Sequence, residues 1–222
     1  MIRRLSLADH DAVRRVFRAT IALGWPLPVD DSDWRHLRPY ERLCLSWYLE
    51  RGTGGLLHDG DDLCAYALVC VDPSGFARWQ ARAAARFVAA VAPRVAVGSY
   101  PPLVERFYRL RLRDGWAATR ARRRRPKLPH AHLNAVGSAG AWPGRALLQF
   151  VDDACTAAGF DAWYGEINAP GGRRVAALER VGLRVIERTP NRTFSWLAGT
   201  AVERLTVVRA VAERAAARAT AA

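Results

Sequence analysis

What this chain lacks already narrows its class. Lys127 is its only lysine, so the other basic side chains among 34 are arginines, set against 21 acids for a formal charge of +13. Its four cysteines, Cys44, Cys64, Cys70 and Cys155, form no CxxC pair and no metal-finger spacing. Reduced, buried thiols are the expectation, with no disulfide framework. The longest apolar run, Cys64 to Val71, is far too short to span a bilayer. Asp9 and His10 interrupt any signal-peptide core near the start. A soluble, cytoplasmic protein with no membrane partner is therefore expected. There is no internal repeat and no long linker, and half of the 222 residues are hydrophobic, which fits one domain over 1–222.

Periodicity orders the chain as follows. Ile2 to Leu7 reads as a strand, and Asp9 caps a helix to about Gly24 with Val13, Val16, Phe17 and Ile21 on its apolar face. Trp25-Pro26-Leu27-Pro28 breaks it. A second helix spans about Ser32 to Glu50, divided by Pro39, so its stronger half is Tyr40 to Glu50. Thr53 to Leu57 and Leu63 to Asp72 form a hairpin around Gly60. Helices then cover Ser74 to about Ala92 and Leu103 to Arg113. The arginine run 122–125 precedes a strand, His130 to Val136. Its plainer reading is a solvated connection; its functional reading is a phosphate or RNA contact. A helix to about Ala158, a strand from Asp161 to Asn168, a helix from Arg173 to Arg180 and a further strand complete an α/β (α+β) domain around one mixed sheet. Val211 to Ala222 reads as a frayed helix.

The stretch from Pro129 to Glu187 carries the chemistry. A strand feeding a small-residue loop, Gly137 to Trp142, and then Pro143-Gly144-Arg145 at a helix start is a place where backbone N–H groups can hold a phosphate. Farther on come Ala157-Ala158-Gly159-Phe160-Asp161, the strand ending at Asn168, and Val181-Gly182-Leu183 after a helix.

In these segments the chain resembles the GCN5-related N-acetyltransferases (GNAT). Ala139-Gly140-Ala141-Trp142-Pro143-Gly144 stands where that family has its R/Q-x-x-G-x-G/A loop, Asn168 where it has an asparagine after the fifth strand, and Val181-Gly182-Leu183 at its "LGF" turn. The sequence departs from the pattern in several places, among them Gly171 where a second asparagine often lies near the cofactor. Ala139 replaces an Arg or Gln, Trp142 stands at a usual glycine, and Leu178 takes the place of a tyrosine acid. The resemblance implies a mostly antiparallel sheet flanked by helices, with 74–128 a helical insertion between the third and fourth strands. It also implies acetyl-CoA, or another acyl-CoA, as co-substrate. The arm of that molecule would run beside Asn134, Ala135 and Val136, its pyrophosphate would lie over Gly140, Trp142, Gly144, Arg145 and Ala146, and Asn168 and Arg173 would lie close by.

Acyl transfer to an amine needs a neutral nucleophile, a polarised carbonyl and a proton for the departing thiolate. His130 and His132 are two apart on a strand and share a face. His132 is the first candidate for proton handling because a histidine titrates near neutral pH. Glu166 and Tyr164 share a face of the next strand and would assist. For each, a hydrogen-bonded core role is the competing reading. His-x-His has no third ligand, so no metal is expected. The segment from Ser74 to Leu112 would shape the acceptor side, and the acceptor would be a small-molecule or peptide amine. Two other readings stay open: an aminoacyl-tRNA or other donor on the same fold, with RNA a less favoured partner, and a binding module that has lost its cofactor loop. A monomer or a homodimer through Phe194, Trp196 and Leu197, read as last-strand residues, fits equally.

Overall fold

A computed structural model describes residues 2–24, 26–60, 62–122, 127–135, 144–170 and 173–211, without the side chains of 117–122 and 173–174. The expectations for Trp25, the arginines at 123–125, Val136, Gly140, Trp142 and the tail from 212 onward lie outside the described residues, as does the side chain of Arg173.

The strands are β1 (Ile2–Arg4), β2 (Thr53–Asp59), β3 (Asp62–Cys70), β4 (His130–Ala135), β5 (Ala162–Pro170), β6 (Arg184–Pro190) and β7 (Val202–Ala210). They form one seven-stranded sheet in the order β1-β2-β3-β4-β5-β7-β6. Every pairing is antiparallel except β4 with β5. The helices are α1 (His10–Thr20), α2 (Asp31–Trp34), α3 (Arg38–Arg51), α4 (Pro73–Ala96), α5 (Pro102–Arg122), α6 (Gly144–Ala157), α7 (Arg173–Arg180) and α8 (Arg192–Ala198). None of the described helices is long and apolar enough to cross a membrane.

Several boundaries differ from the sequence reading for identifiable reasons. The opening strand stops at Arg4 as a ladder strand, although Leu5 N still donates to Gly54 O at 2.8 Å. The stretch from Ser32 to Glu50 is divided at Pro39 as expected: a short helix and a 3-10 turn end at Leu37, and α3 holds the proline in its first turn, where no N–H partner is needed. The two helices between β3 and β4 are longer than expected. Pro93 lies inside α4, and α5 runs nine residues past Arg113, to Arg122. Phe194, Trp196 and Leu197 are on a helix, α8, and not on a strand. Phe194 is buried, and the other two pack against the same core, with Arg106 4.8 Å over the Trp196 ring. Core packing therefore accounts for all three.

The sheet separates two cores. Alternation puts Tyr66, Leu68 and Cys70 of β3 on one face, under α1, α3, α4 and α5, in a cluster rich in aromatic rings. Ala65, Ala67 and Val69 face the other side, where α6 lays down Leu147, Leu148, Val151 and Cys155. The buried members of that second cluster are aliphatic apart from Trp163 and the Cys155 thiol, with Phe150 and Phe160 packed at its margin. A buried ion pair ties it together. Arg209 on β7 donates to both oxygens of Asp152 on α6 at 2.7–3.0 Å, Trp163 Nε1 donates to the same carboxylate at 2.8 Å, and Arg209 also donates to Val181 O. Gly182, at φ 81°, closes α7 in a left-handed turn with Leu183 N bonded to Leu178 O at 3.0 Å. This is the turn that the sequence marks with Val181-Gly182-Leu183.

Candidate active site

The parallel pairing of β4 with β5 covers only His130 opposite Tyr164 and Ala131 opposite Gly165. Gly165 sits at the split: a Cβ there would lie 3.2 Å from Ala131 O, so a side chain would crowd the last shared rung. Beyond it the strands part. β4 from His132 to Ala135 remains paired to β3 alone, and its other backbone edge opens onto a cavity of about 640 Å³. The cavity passes through the wedge. On the α6–α7 side its wall is mostly apolar, with Leu148, Trp163, Leu178, Val181 and Leu183 beside the cation Arg180; on the α1–α3 side it carries Phe17, Tyr40, Cys44, His132, Glu166 and Phe194.

Of the four predicted catalytic residues, the split divides two from two. His132 and Glu166 line the cavity. His130 and Tyr164 sit at the closed apex, 8% and 5% exposed, with their rings edge-on at 4.7 Å. The His130 ring also stacks on Phe76 at 5.2 Å, and its Nδ1 shares a short hydrogen bond with the Tyr48 hydroxyl. Both therefore carry packing duties behind the site.

His132 is ringed by aromatics: Tyr66 stacks on it at 5.9 Å, with Tyr48 at 5.8 Å and Phe17 at 6.2 Å. Its Nε2 is buried without a hydrogen-bond partner among the described residues. Burial pushes its pKa down to about 4, only partly opposed by the Glu166 charge. The near-neutral titration expected from the sequence is therefore corrected. The aromatic box withholds water from the imidazolium, and the ring is neutral at pH 7. Glu166 is exposed to the cavity.

The predicted cofactor contacts distribute along both strands. Asn134 and Ala135 line the open edge of β4, with Asn134 Nδ2 donating to the Tyr66 hydroxyl at 2.9 Å. Asn168 lines the cavity on the Glu166 side of β5 and accepts from Asn191 Nδ2 at 2.7 Å. Gly144 is the buried first residue of α6, while Arg145 and Ala146 are exposed in its first turn. Arg180 adds a cation at the α7 wall. A free strand edge, a helix N-terminus following it in the chain and nearby arginines suit a molecule with amide groups at one end and phosphates at the other. Leu178 lines the cavity where the resemblance places a tyrosine acid.

Sequence reasoning missed Tyr40 and Cys44. They are four apart on α3, hence on one helical face, and that spacing was the available signal. Burial raises the Tyr40 phenol far above its ordinary value and pushes the Cys44 thiol up to about 11, so both are protonated. Arg111 of α5, also missed, lies behind the wall with its guanidinium 4.8 Å over the Tyr40 ring and 5.8 Å over Phe194.

No family model and no curated protein matches the sequence. Solved structures match along nearly all of it. An agmatine N-acetyltransferase aligns with a TM-score of 0.54 at 13% identity, covering 95% of this chain and 98% of that one. A polyamine N-acetyltransferase of Drosophila melanogaster, an enzyme that catalyses the formation of N-acetylagmatine, aligns at 0.53 and 14% identity, covering 95% and 99%. A protein from Desulfovibrio desulfuricans assigned to the GNAT-family acetyltransferases aligns at 0.50 and 14%, covering 95% and 98%. At these identities the likeness is one of fold. The chain has the fold of the GCN5-related N-acetyltransferases.

Proposed function

We propose that this protein is an acyl-CoA-dependent N-acyltransferase that moves a small acyl group, acetyl by preference, directly to an amine bound in the same cavity. The observation that carries the reading is the β4–β5 split, which frees one backbone edge of His132–Ala135 beside a cavity and just ahead of the α6 N-terminus. The arm's amides would pair with that edge, as a strand would. Gly144, Arg145 and Ala146 would face the pyrophosphate, with Arg180 as a further cation.

Acyl-CoA supplies a thioester whose carbonyl carbon an amine can attack. Glu166 binds the ammonium group and takes its first proton. His132, neutral at pH 7, orients the amine. The free edge of β4 offers N–H groups to the carbonyl oxygen as charge develops there. Tyr40, held protonated by burial, gives a proton to the departing sulfur, a role open neither to Leu178, which has no proton to give, nor to Tyr164, which does not line the cavity. Of the two protons the nitrogen surrenders, one leaves through Glu166 and the other returns to the Tyr40 oxygen, replacing the proton that Tyr40 gave to the CoA sulfur.

Cys44 is the one thiol on the cavity wall among the described residues, and a thiol titrating at about 11 is a poor nucleophile at neutral pH. Direct transfer is therefore favoured over an acyl-cysteine intermediate. Cys44→Ala should keep turnover within about threefold, whereas Tyr40→Phe should lower kcat on the order of tenfold. An acylated Cys44 peptide in a mass spectrum would replace direct transfer with a two-step route. The reading as a whole is tested by calorimetric titration with acetyl-CoA and longer acyl-CoAs. Binding in the micromolar range, abolished by Gly144→Glu, is expected; no binding to the unaltered protein would sink it.

A further inference from the structure

α4 and α5 hold ten arginines against two acids, so eight of the chain's thirteen net positive charges stand on these two helices. Both acids are already engaged: Glu105 pairs with Arg109, and Asp114 accepts from Thr193 N and the Thr193 hydroxyl on α8. The inner face of α5 buries Val104, Phe107 and Tyr108 in the aromatic core and carries Arg111 toward Tyr40 and Phe194. Helical periodicity gathers Arg106, Arg109, Arg113 and Trp116, all exposed, into one stripe on the opposite face, about 15 Å long. The three arginines line a shallow groove of about 620 Å³ that begins at Gly98 and Tyr100. Arg106 is steadied by the Trp196 ring 4.8 Å beneath it, and Arg94 of α4 lies 6.0 Å over the Tyr100 ring at the groove's other end. Trp116 is 72% exposed, so its indole contributes little to the core.

We infer that the outward face of α5 is a docking surface for single-stranded RNA, with phosphates on Arg106, Arg109 and Arg113 and an unpaired base on Trp116. The inference goes beyond acyl transfer and does not depend on it. Guanidinium groups hold phosphate oxygens in pairs, and each contact releases a condensed counterion. A base stacked on the indole adds affinity that salt does not screen. Unpaired bases stand exposed in RNA loops and ends, whereas a duplex withholds its base faces from a ring on a convex helix. A membrane surface is a poorer fit. An interfacial helix needs an apolar stripe along its length, and the apolar face of α5 is spent on the core, leaving Trp116 alone outside. None of the four stripe residues lines the cavity at the β4–β5 split, so RNA on this face leaves that cavity open to its own ligands.

The test is fluorescence anisotropy of a labelled, mixed-sequence RNA of about twelve unpaired nucleotides, titrated with the whole protein over a series of salt concentrations. Affinity should fall as salt rises. Arg106→Gln combined with Arg113→Gln should weaken binding on the order of tenfold or more. The same pair should reduce the slope of log affinity against log salt by about 1.4, since each phosphate contact on a single strand contributes about 0.7. Because Arg106 also packs on Trp196, Arg113→Gln alone, worth about 0.7 in slope, keeps the measurement decisive if the double variant unfolds. Trp116→Ala should weaken binding about tenfold with the slope unchanged, and Trp116→Phe should recover much of that loss. The inference is overturned by no RNA binding, by equal binding of a duplex of the same sequence, or by displacement of the RNA with acetyl-CoA. Binding to phosphatidylserine vesicles in place of RNA would overturn it too. So would RNA binding that needs the arginines at 122–125 but neither Arg113 nor Trp116.

Discussion

The two faces of the sheet are built from different materials. Under α6 the core is aliphatic, fastened by one buried ion pair, Asp152–Arg209. Under α1 and α3 it is aromatic and threaded with polar groups: the Tyr48–His130 hydrogen bond, the boxed His132, and Tyr40 between Phe107 at 5.2 Å and Arg111 at 4.8 Å. The cavity joins the two through the β4–β5 split. The first face offers a regular platform that holds a helix N-terminus in place. The second holds side chains whose charge state depends on what surrounds them, and this is where selectivity for an acceptor can reside.

The largest effect should come from breaking the fastening of the aliphatic face. Asp152 and Arg209 are each under 9% exposed as side chains, and the carboxylate also serves Trp163 Nε1. Asp152→Asn leaves a buried guanidinium without its counter-charge and should cost about 3–5 kcal/mol. The shift of the urea midpoint at constant slope measures it. Because Arg209 also donates to Val181 O, the α7 end of the cavity should loosen with it. A replacement of both partners by apolar residues should recover much of the loss, since the desolvation cost disappears with the pair. A double variant as unstable as the single one would mean that the pair specifies the packing of this face rather than merely occupying it.

A smaller effect, confined to the aromatic face, should appear with pH. His132 has a folded pKa of about 4 against an ordinary value of 6.5, so the unfolded chain binds more protons between these values. Stability contributed by the neutral ring is complete above about pH 6.5 and is lost as pH falls toward 4. Denaturation midpoints of the wild type should therefore drop across this window, and His132→Phe, which keeps a ring in the box, should flatten that part of the profile. An unchanged slope in the variant would show that the box is open to water. Acid loss at lower pH has a separate source on the sheet's outer edge. There the Arg3 guanidinium, the Ser6 hydroxyl and the Ser6 N–H hold the Asp9 carboxyl well below the usual range, so its contribution is present above about pH 4 and is lost below it.

The contrast also explains what could be read from residues alone. The aliphatic face follows simple periods: Leu147, Leu148, Val151 and Cys155 mark α6, and Gly182 marks the turn after α7, so order and fold were legible there. Strand alternation rightly put His130 with His132, and Tyr164 with Glu166. It could not tell which member of each pair lies beyond the split, because that depends on where β4 and β5 part company, a tertiary fact set at Ala131 and Gly165. Nor could it give the pKa of His132, which comes from Phe17, Tyr48 and Tyr66 on three other elements. Tyr40 and Arg111 were unreadable as a pair for the same reason: 71 positions apart, they meet only when α5 folds back across α3.

That return of α5 is held at one further point, where the smallest effect is expected. Asp114 on α5 is buried and accepts from Arg192 N at 3.1 Å, Thr193 N at 2.9 Å and the Thr193 hydroxyl at 2.6 Å, while Asn191 Oδ1 accepts from Phe194 N at 3.2 Å. A helix start has N–H groups with no internal partner, and here a side chain from another helix supplies acceptors for two of them. Asp114→Asn keeps the shape but surrenders the charge and at least one acceptor position, so it should cost about 1–2 kcal/mol. Its consequence for function is more specific than its cost. Phe194 lies on α8 just after the capped turn and lines the cavity, with Arg111 three residues before Asp114 stacked against it. Loosening that joint should raise KM for the acceptor of the proposed reaction several-fold and leave acetyl-CoA affinity untouched, because α6, the helix proposed to face the cofactor, is on the other side of the sheet. An equal loss for both ligands would mean that the two faces move as one body and that the division of labour between them is only compositional.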